Sequence, residues 1–294
     1  MKILIAIGGR EFSKPTLDLG MKIANSFKSS TTIAYVGKKI SQFSEKDVSV
    51  VHQNLDDREL YRPGIRTLEW AYDFLISKKY IEEKDSNKFN DYLLVDEENS
   101  RMKVLLKGQQ SDKIDLIMRT GEIIEQLKNE VETNKHDITI IGGGGGNKGI
   151  HQKLVQFIDS SVFVVKNYSV NKKYRILLPI NESKGSDMAI ETAINFAKSY
   201  KLDVEIVSIP EGKKSIEEVE KVLLKTKDKF LKNKIKASTK LISGSAVNSI
   251  VNHAKDDSIV ILGVSPKNPI MKYFFGSKPL SIAQKCNCPV LITK

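Results

Sequence analysis

The stretch Tyr174-Arg-Ile-Leu-Leu-Pro-Ile-Asn181 has the same pattern as Lys2-Ile-Leu-Ile-Ala-Ile-Gly8, which lies about 170 residues earlier. Two more pairs of apolar runs recur in the same order: 137–142 with 258–263, and 161–166 with 289–294. All are short, rich in isoleucine and valine, and bounded by turn residues. Because they do not alternate with polar residues, they are typical of strands buried on both faces. They predict a parallel sheet covered by helices in each of two copies.

Segments with helical periodicity alternate with the strands in both copies. The first begins near Pro15, a favourable first-turn residue, and its counterpart has an apolar face over 190–197. Ser215 and Glu218 have the spacing of a capping box, which predicts the start of another helix. The order βαβαβαβαβ requires right-handed crossovers in an open sheet. We therefore expect a Rossmann-like α/β class, with two tandem open parallel five-stranded sheets and helices on both faces.

The length of 294 residues suits two domains, which the repeat divides into 1–168 and 169–294. The first copy carries additional residues near 77–110. Within them, Tyr92-Leu-Leu-Val-Asp96 and Met102-Lys-Val-Leu-Leu106 flank a polar turn and predict an inserted β-hairpin. Its role as an interface or as a lid over a site is left open by the sequence.

The composition is that of a globular protein, with 40% hydrophobic and 28% charged residues. The net charge of +11 is concentrated in the second copy, where residues 169–294 hold 22 lysines and arginines against 12 acidic residues. This asymmetry suits an anionic ligand, although scattered lysines are equally typical of a solvated surface. The chain has no long apolar run and no signal-peptide pattern, so we expect a cytoplasmic protein without membrane or nucleic-acid partners. Cys286 and Cys288 have neither zinc nor redox spacing and are expected to point to opposite faces, so we predict no metal.

A long loop in the second copy joins the predicted fourth strand to the last helix. It reads Leu262-Gly-Val-Ser-Pro-Lys-Asn-Pro-Ile-Met-Lys-Tyr-Phe-Phe-Gly-Ser277. Glycine turns at the carboxyl ends of parallel strands let backbone amides approach phosphates. The spacing of Gly263, position 266, Gly276 and Ser277 resembles the Gly-x2-Gly-x9-Gly-Ser/Thr pattern of nucleotide-binding universal stress proteins. The resemblance covers nearly the whole chain in two copies, and it includes the closing Cys288-Pro-Val.

This resemblance implies a tandem member of that family with an adenine-nucleotide site in the second copy. Gly263, Gly276 and Ser277 would hold phosphates, and the backbone around Pro179 and Ile209 would flank the adenine. The implied contact residues are Pro179, Ile180, Asn181, Ile209, Leu262, Gly263, Pro266, Gly276, Ser277 and Lys278. The ligand would be ATP, AMP or an adenine second messenger, and Mg²⁺ would accompany ATP.

Two positions in the second copy depart from the family pattern. Pro266 replaces the second glycine, and proline has no N–H and cannot reach positive φ. Asn181 replaces the acid expected to meet the ribose, although an amide also hydrogen-bonds a hydroxyl. The alternative for this loop is a role in packing without a ligand.

The corresponding loop of the first copy is shorter. Gly142 to Gly149 spans seven steps, whereas Gly263 to Gly276 spans thirteen. A degenerate anion site lined by backbone amides is expected here, and its candidate residues are Gly142, Gly143, Gly145 and Gly149. Asn147 and Gly149 rule out a Walker motif around Lys148.

The sequence contains no evident catalytic constellation. The histidines have no patterned serine or cysteine partner, and we expect them on the surface; they are His52, His136, His151 and His253. The function indicated is a cytoplasmic stress-response protein that senses an adenine nucleotide through its second copy, with at most slow ATP hydrolysis. The alternative is a tandem interaction or chaperone-like module that binds no nucleotide; an adenylyl-transferring enzyme is less favoured.

The resemblance also concerns assembly. Dimers of this family commonly pair their last strands, so the tandem is expected to imitate such a dimer within one chain. Segment 162–166 should then lie antiparallel to 290–294, which satisfies two otherwise open sheet edges. A further homodimer is left open.

Overall fold

The computed structural model describes residues 1–37, 64–81, 92–97, 101–106, 113–144, 150–210, 215–264 and 278–294. Contacts divide the chain into two compact units, Met1–Gly142 and Gly143–Lys294, called below the first and the second unit. The bounds 1–168 and 169–294, which were predicted from the repeat, describe the two sequence copies and stay a prediction.

The first unit contains a parallel sheet with helices, as the apolar runs predict. Its parallel strands are β1 (Lys2–Ile7), β2 (Ser30–Gly37), β5 (Ile114–Thr120) and β6 (Ile138–Gly142), and its described helices are α1 (Arg10–Ser26), α2 (Ile65–Ser77) and α3 (Ile123–Asn134). These strands lie in the order β6-β1-β2-β5. Ile3, Leu4 and Ile5 are all fully buried, which is the non-alternating burial of a strand covered on both faces.

A β-hairpin extends the sheet of the first unit. Strand β3 (Tyr92–Glu97) pairs antiparallel with β4 (Arg101–Leu106), and β4 pairs antiparallel with β5. The predicted hairpin is therefore confirmed.

A buried ion cluster fastens this hairpin to α3. The Glu130 carboxylate is fully buried and accepts hydrogen bonds from Arg119 Nε at 2.8 Å and from Arg101 Nε at 3.0 Å. Asn134 Nδ2 donates to the same carboxylate at 2.9 Å. A buried carboxylate is tolerated only when it is paired and hydrogen-bonded in this way.

The second unit contains the five parallel strands predicted for the second copy. Its strands are β7 (Ser161–Val165), β8 (Arg175–Pro179), β9 (Val204–Ser208), β10 (Ala237–Leu241), β11 (Ser258–Gly263) and β12 (Val290–Thr293), and its described helices are α4 (Ile150–Phe157), α5 (Lys184–Tyr200), α6 (Ile216–Lys232), α7 (Ala246–His253) and α8 (Lys278–Lys285). The parallel order is β10-β9-β8-β11-β12. The α/β class is confirmed. The description of two five-stranded sheets is not exact, because in the described residues the first unit has four parallel strands and the antiparallel hairpin, and the second unit has β7 antiparallel beside its five parallel strands.

Strand β7 lies antiparallel to β12, with Phe163 opposite Leu291. This register confirms the predicted pairing of the two segments. Directly after β7, Lys166 Nζ donates to the backbone oxygens of Ala283 and Gln284 at 2.7 and 2.9 Å, at the end of α8. A strand from the first sequence copy thus covers an edge of the second copy's sheet.

The helix starts follow from local sequence. The capping box at α6 is confirmed, since Ser215 Oγ accepts from the Glu218 N–H at 3.2 Å and the Ser215 N–H donates to the Glu218 carboxylate at 3.0 Å. Helix α5 is capped by Ser183, whose Oγ accepts from the Ser186 N–H at 3.3 Å. In the described segments, no helix combines the length and apolarity needed to cross a membrane.

Candidate functional site

A cavity of about 760 Å³ opens in the second unit. It lies at the carboxyl ends of β8, β9 and β11, between these strands and residues of α6, α7 and α8. Strand β8 has β9 on one side and β11 on the other, so the winding direction changes at β8. Ligands of doubly wound sheets bind in the crevice at this switch point.

The residues implied as nucleotide contacts surround this cavity wherever the structure describes them. They are Pro179, Ile180 and Asn181 at the end of β8, Ile209 after β9, Leu262 and Gly263 at the end of β11, and Lys278 at the start of α8. The other three, Pro266, Gly276 and Ser277, lie outside the described residues. The fold thus brings together side chains that are up to about 100 positions apart in the chain.

Asn181 is held by two serines of the following helix. Its backbone N–H donates to Ser186 Oγ at 2.9 Å, and that hydroxyl donates to Asn181 Oδ1 at 2.8 Å. Ser183 Oγ also donates to Oδ1, at 2.6 Å. Because both hydroxyl groups point at the carbonyl oxygen of the amide, the NH₂ group is the part of Asn181 left to act as a donor toward the cavity.

The side of the cavity next to β9 is mainly apolar. Ile180, Val207, Ile209, Val219 and Val222 line it. Ser208 lies among them at the end of β9, is buried with 5% exposure, and donates from Oγ to the Ile180 backbone oxygen at 2.9 Å. A flat, apolar ring with a few polar edge atoms matches this lining.

The side of the cavity next to β11 is narrow at its base because two glycines meet there. A Cβ on Gly263 would overlap the backbone carbonyl group of Gly185 in the first turn of α5. No side chain fits between the strand end and the helix. Gly263 also lines the cavity, and a residue without a side chain allows close approach of a phosphate to the backbone.

In the part of the chain that the structure describes, three charged residues line the cavity: Glu182, Glu218 and Lys278. The Glu218 carboxylate is engaged by the Ser215 N–H in the capping box. Lys278 is exposed at the first turn of α8, where helix N–H groups and an ammonium group together favour an anion.

The first unit repeats part of this geometry. The Gly8 N–H donates to Ser13 Oγ at 2.8 Å, as the Asn181 N–H does to Ser186 Oγ. At the end of β6, a Cβ on Gly142 would lie 2.9 Å from Thr16 Oγ1. Of the other candidate anion-site residues, Gly145 and Gly149 lie outside the described residues. Gly143 begins the second unit, where a Cβ on it would overlap the Lys166 side chain.

The prediction that the histidines lie on the surface is wrong for His136. Its ring is buried, with Nε2 3.0 Å from Thr32 Oγ1 and Nδ1 3.3 Å from the Glu130 backbone oxygen. Burial lowers the pKa of His136 from its ordinary value of 6.5. His253 is partly buried and lies 3.1 Å from the Glu205 carboxylate. His52 lies outside the described residues.

The prediction that the two cysteines point to opposite faces is also wrong. Cys286 and Cys288 precede β12, where strand alternation does not apply, and both are free and buried. Their thiols hydrogen-bond to each other, which lowers the pKa of Cys286 and raises that of Cys288. Among the described residues, no three side chains of His, Cys, Asp or Glu are grouped to hold a metal ion.

Among the lining residues that sequence reasoning missed are three serines whose hydrogen bonds shape the site: Ser183, Ser186 and Ser208. For Ser186, a comparison of the two sequence copies offers a signal. Ser13 follows Gly8 by five positions, and Ser186 follows Asn181 by the same interval. No such signal marks Ser208, because its partner Ile180 lies 28 positions earlier, directly after β8.

The second unit is thus a doubly wound α/β domain with a cavity at its switch point. Residues 174–294 match the model of the universal stress protein family. The whole chain is about twice the length of the matched segment, as a tandem arrangement requires. No curated protein matches the sequence.

Solved structures match over the whole chain. The structure of a universal stress protein from Archaeoglobus fulgidus DSM 4304 covers 100% of this chain and 96% of its own, with 14% identity and a TM-score of 0.64. A functionally unknown protein from Pseudomonas aeruginosa PAO1 covers 100% and 92%, with 14% identity and a TM-score of 0.61. A shorter universal stress protein from Archaeoglobus fulgidus, solved in complex with dAMP, covers 41% of this chain and 98% of its own, with 16% identity and a TM-score of 0.33.

Proposed function

We propose that this chain is a cytoplasmic stress-response protein that binds an adenine nucleotide in the cavity of its second unit. The observation that carries the proposal is the convergence of Pro179, Ile180, Asn181, Ile209, Gly263 and Lys278 on one cavity at the switch point. The sequence resemblance implied these positions without reference to the cavity, whereas the cavity follows from the fold. The two sources therefore support the proposal independently.

The chemistry of the lining suits a nucleotide. The volume of about 760 Å³ lies in the range of small-molecule sites, roughly 300 to 1,000 Å³. The base would occupy the apolar side formed by Ile180, Ile209 and Val219. The phosphates would lie against Gly263 and Lys278, where a backbone without a side chain and an ammonium group are close to the start of α8.

The sugar would lie near Asn181, between these two sides. Its NH₂ group can donate to a ribose oxygen, while Ser183 and Ser186 hold Oδ1. Among the described residues that line the cavity, none is arranged as a nucleophile with a base. The proposed output is a change of conformation or partner, with at most slow hydrolysis of ATP.

The test is a titration of the full chain with AMP and ATP by calorimetry. We expect one nucleotide per chain, because the loop of the first copy is too short to wrap a triphosphate. A saturating nucleotide, at about 100 times its dissociation constant, should raise the free energy of unfolding by roughly 2.7 kcal/mol. Two equivalent sites would contradict the assignment to the second unit.

An absence of binding to any adenine nucleotide would overturn the proposal. The alternative, a tandem interaction or chaperone-like module, would then be the better account of the chain. This titration does not test three separate proposals: the pseudo-dimer, a further homodimer, and Mg²⁺ binding with ATP.

A further inference from the structure

Ser208 is a buried polar residue on the otherwise apolar side of the cavity. It ends β9, is 5% exposed, and lines the cavity between Val207 and Ile209. Its hydroxyl group donates to the Ile180 backbone oxygen at 2.9 Å. The orientation of this hydroxyl group is fixed, because its single proton is donated to Ile180.

The Ile180 backbone explains why this proton is fixed. Ile180 is 5% exposed, and its N–H already donates to the Val207 oxygen at 2.9 Å. Among the described residues, Ser208 is the donor found for the Ile180 carbonyl oxygen. If the hydroxyl turned away, this buried carbonyl group would lose its partner, and a buried unpaired acceptor is costly.

The consequence is a group that only accepts. A hydroxyl has one proton and two lone pairs, so Ser208 Oγ retains acceptor capacity after donating to Ile180. A ligand that presents an N–H group to this atom completes its hydrogen bonding. A ligand that presents an oxygen places two acceptors against each other or breaks the bond to Ile180.

We propose that Ser208 is a specificity-determining residue that accepts a hydrogen bond from the 6-amino group of a purine and so selects an aminopurine over an oxopurine nucleotide. This inference rests on the proposed function, since it assumes that the base lies on the β9 side. The exocyclic amino group is the strongest N–H donor on the edge of adenine, whereas inosine carries an oxygen at the same position. A site built to hydrogen-bond one group discriminates strongly against an analogue that lacks it.

The first experiment varies the ligand and leaves the protein unchanged. The full chain is titrated with AMP, IMP and N6,N6-dimethyl-AMP, in which the amino nitrogen has lost both protons. We expect AMP to bind at least roughly tenfold more tightly than either analogue, as expected for one lost hydrogen bond to a buried group. Because no residue is replaced, the result does not depend on the folding of a variant.

The second experiment varies the protein. Ser208→Ala should weaken AMP binding and bring the ratio of the AMP and IMP dissociation constants close to one. Ser238→Ala is the matched control, because Ser238 is exposed on the neighbouring strand β10 and does not line the cavity. It should leave both constants unchanged. Far-ultraviolet circular dichroism and a thermal melt report whether Ser208→Ala retains the fold.

The outcomes separate the two proposals. If no nucleotide binds, the proposed function fails. If AMP, IMP and the dimethyl analogue bind with equal affinity, nucleotide binding stands and the role of Ser208 is overturned. A preference for AMP that survives in Ser208→Ala overturns it as well, because another group then reads the base.

Discussion

The backbone carbonyl group of Gly185 occupies the space that a side chain at position 263 would need. This contact fixes the start of α5 against the end of β11, and both border the cavity. Protein interiors are close-packed, so even a methyl group at this point must displace a backbone segment.

Gly263→Ala should therefore lower the free energy of unfolding by about 1 to 3 kcal/mol and weaken nucleotide binding. Gly8→Ala is a suitable control, since a Cβ at Gly8 meets no atom within 4 Å and Gly8 also lies at the carboxyl end of a buried parallel strand, β1. Urea denaturation and calorimetry of both variants give the comparison. Equal stability of the two variants would contradict the packing argument.

Asn181→Asp should increase the preference for a nucleotide with free ribose hydroxyl groups. The substitution keeps the oxygen that accepts from Ser183 and Ser186, and it replaces the NH₂ donor by a charged acceptor. Charge-assisted hydrogen bonds are roughly twice as strong as neutral ones. We expect the ratio of the 2′,3′-dideoxy-AMP and AMP dissociation constants to rise about three- to tenfold.

Asn195→Asp provides the matched control for this prediction. It makes the same change of charge on an exposed position of α5 that does not line the cavity. The ratio should stay at the wild-type value in this variant. An unchanged ratio in Asn181→Asp would mean that the sugar does not lie at Asn181.

Lys278→Gln should weaken ATP binding more than AMP binding and leave adenosine binding unchanged. The reason is that the ammonium group acts on phosphate charge, an interaction that salt screens. Titrations at two salt concentrations should show a smaller salt dependence for ATP in the variant. Lys285→Gln, at the other end of α8 and outside the cavity, should behave as the wild type does.

His136 predicts how stability changes with pH. Burial lowers its pKa below the ordinary value of 6.5, so below pH 6.5 the unfolded chain binds a proton that the folded chain does not. The stability contributed by neutral His136 is present above pH 6.5 and is lost as the pH falls toward the lowered pKa of the folded state. The slope from one such group is at most about 1.4 kcal/mol per pH unit.

His136→Gln should remove this slope, because glutamine does not titrate and can still hydrogen-bond to Thr32 and the Glu130 backbone oxygen. Urea denaturation between pH 5 and 7.5 measures the free energy of unfolding of both proteins. If the variant retains the wild-type slope over this interval, groups other than His136 cause it.

Most of the fold could be predicted because its signals are local. The apolar runs, the Ser215–Glu218 capping box and the hairpin around 92–106 are each encoded in a few neighbouring residues, and each is found in the structure. The antiparallel neighbour of β12 came from the family resemblance and is also confirmed. The membership of β7 in the second unit could not be read from the repeat, because contacts between distant segments decide it.

The site was predictable in outline, for the same reason. Glycines and prolines at strand ends mark the cavity. The bonds of Ser208 to Ile180 and of His136 to Thr32, in contrast, each join a strand residue to a distant residue outside the strands. Spacing along the chain carries no trace of such pairs. The cysteine thiols were misjudged because an extended strand was assumed where the chain bends before β12.

The pairing of β7 with β12 also sets an order of events during synthesis of the protein on the ribosome. About 125 residues separate the two strands, and at roughly 5 to 20 residues per second their translation takes about 6 to 25 s. During that interval the apolar segment Ser161–Val165 has emerged while the strand that covers it does not yet exist. Until β12 is made, the edge of this segment that β12 will cover is open to pairing with another copy of the chain.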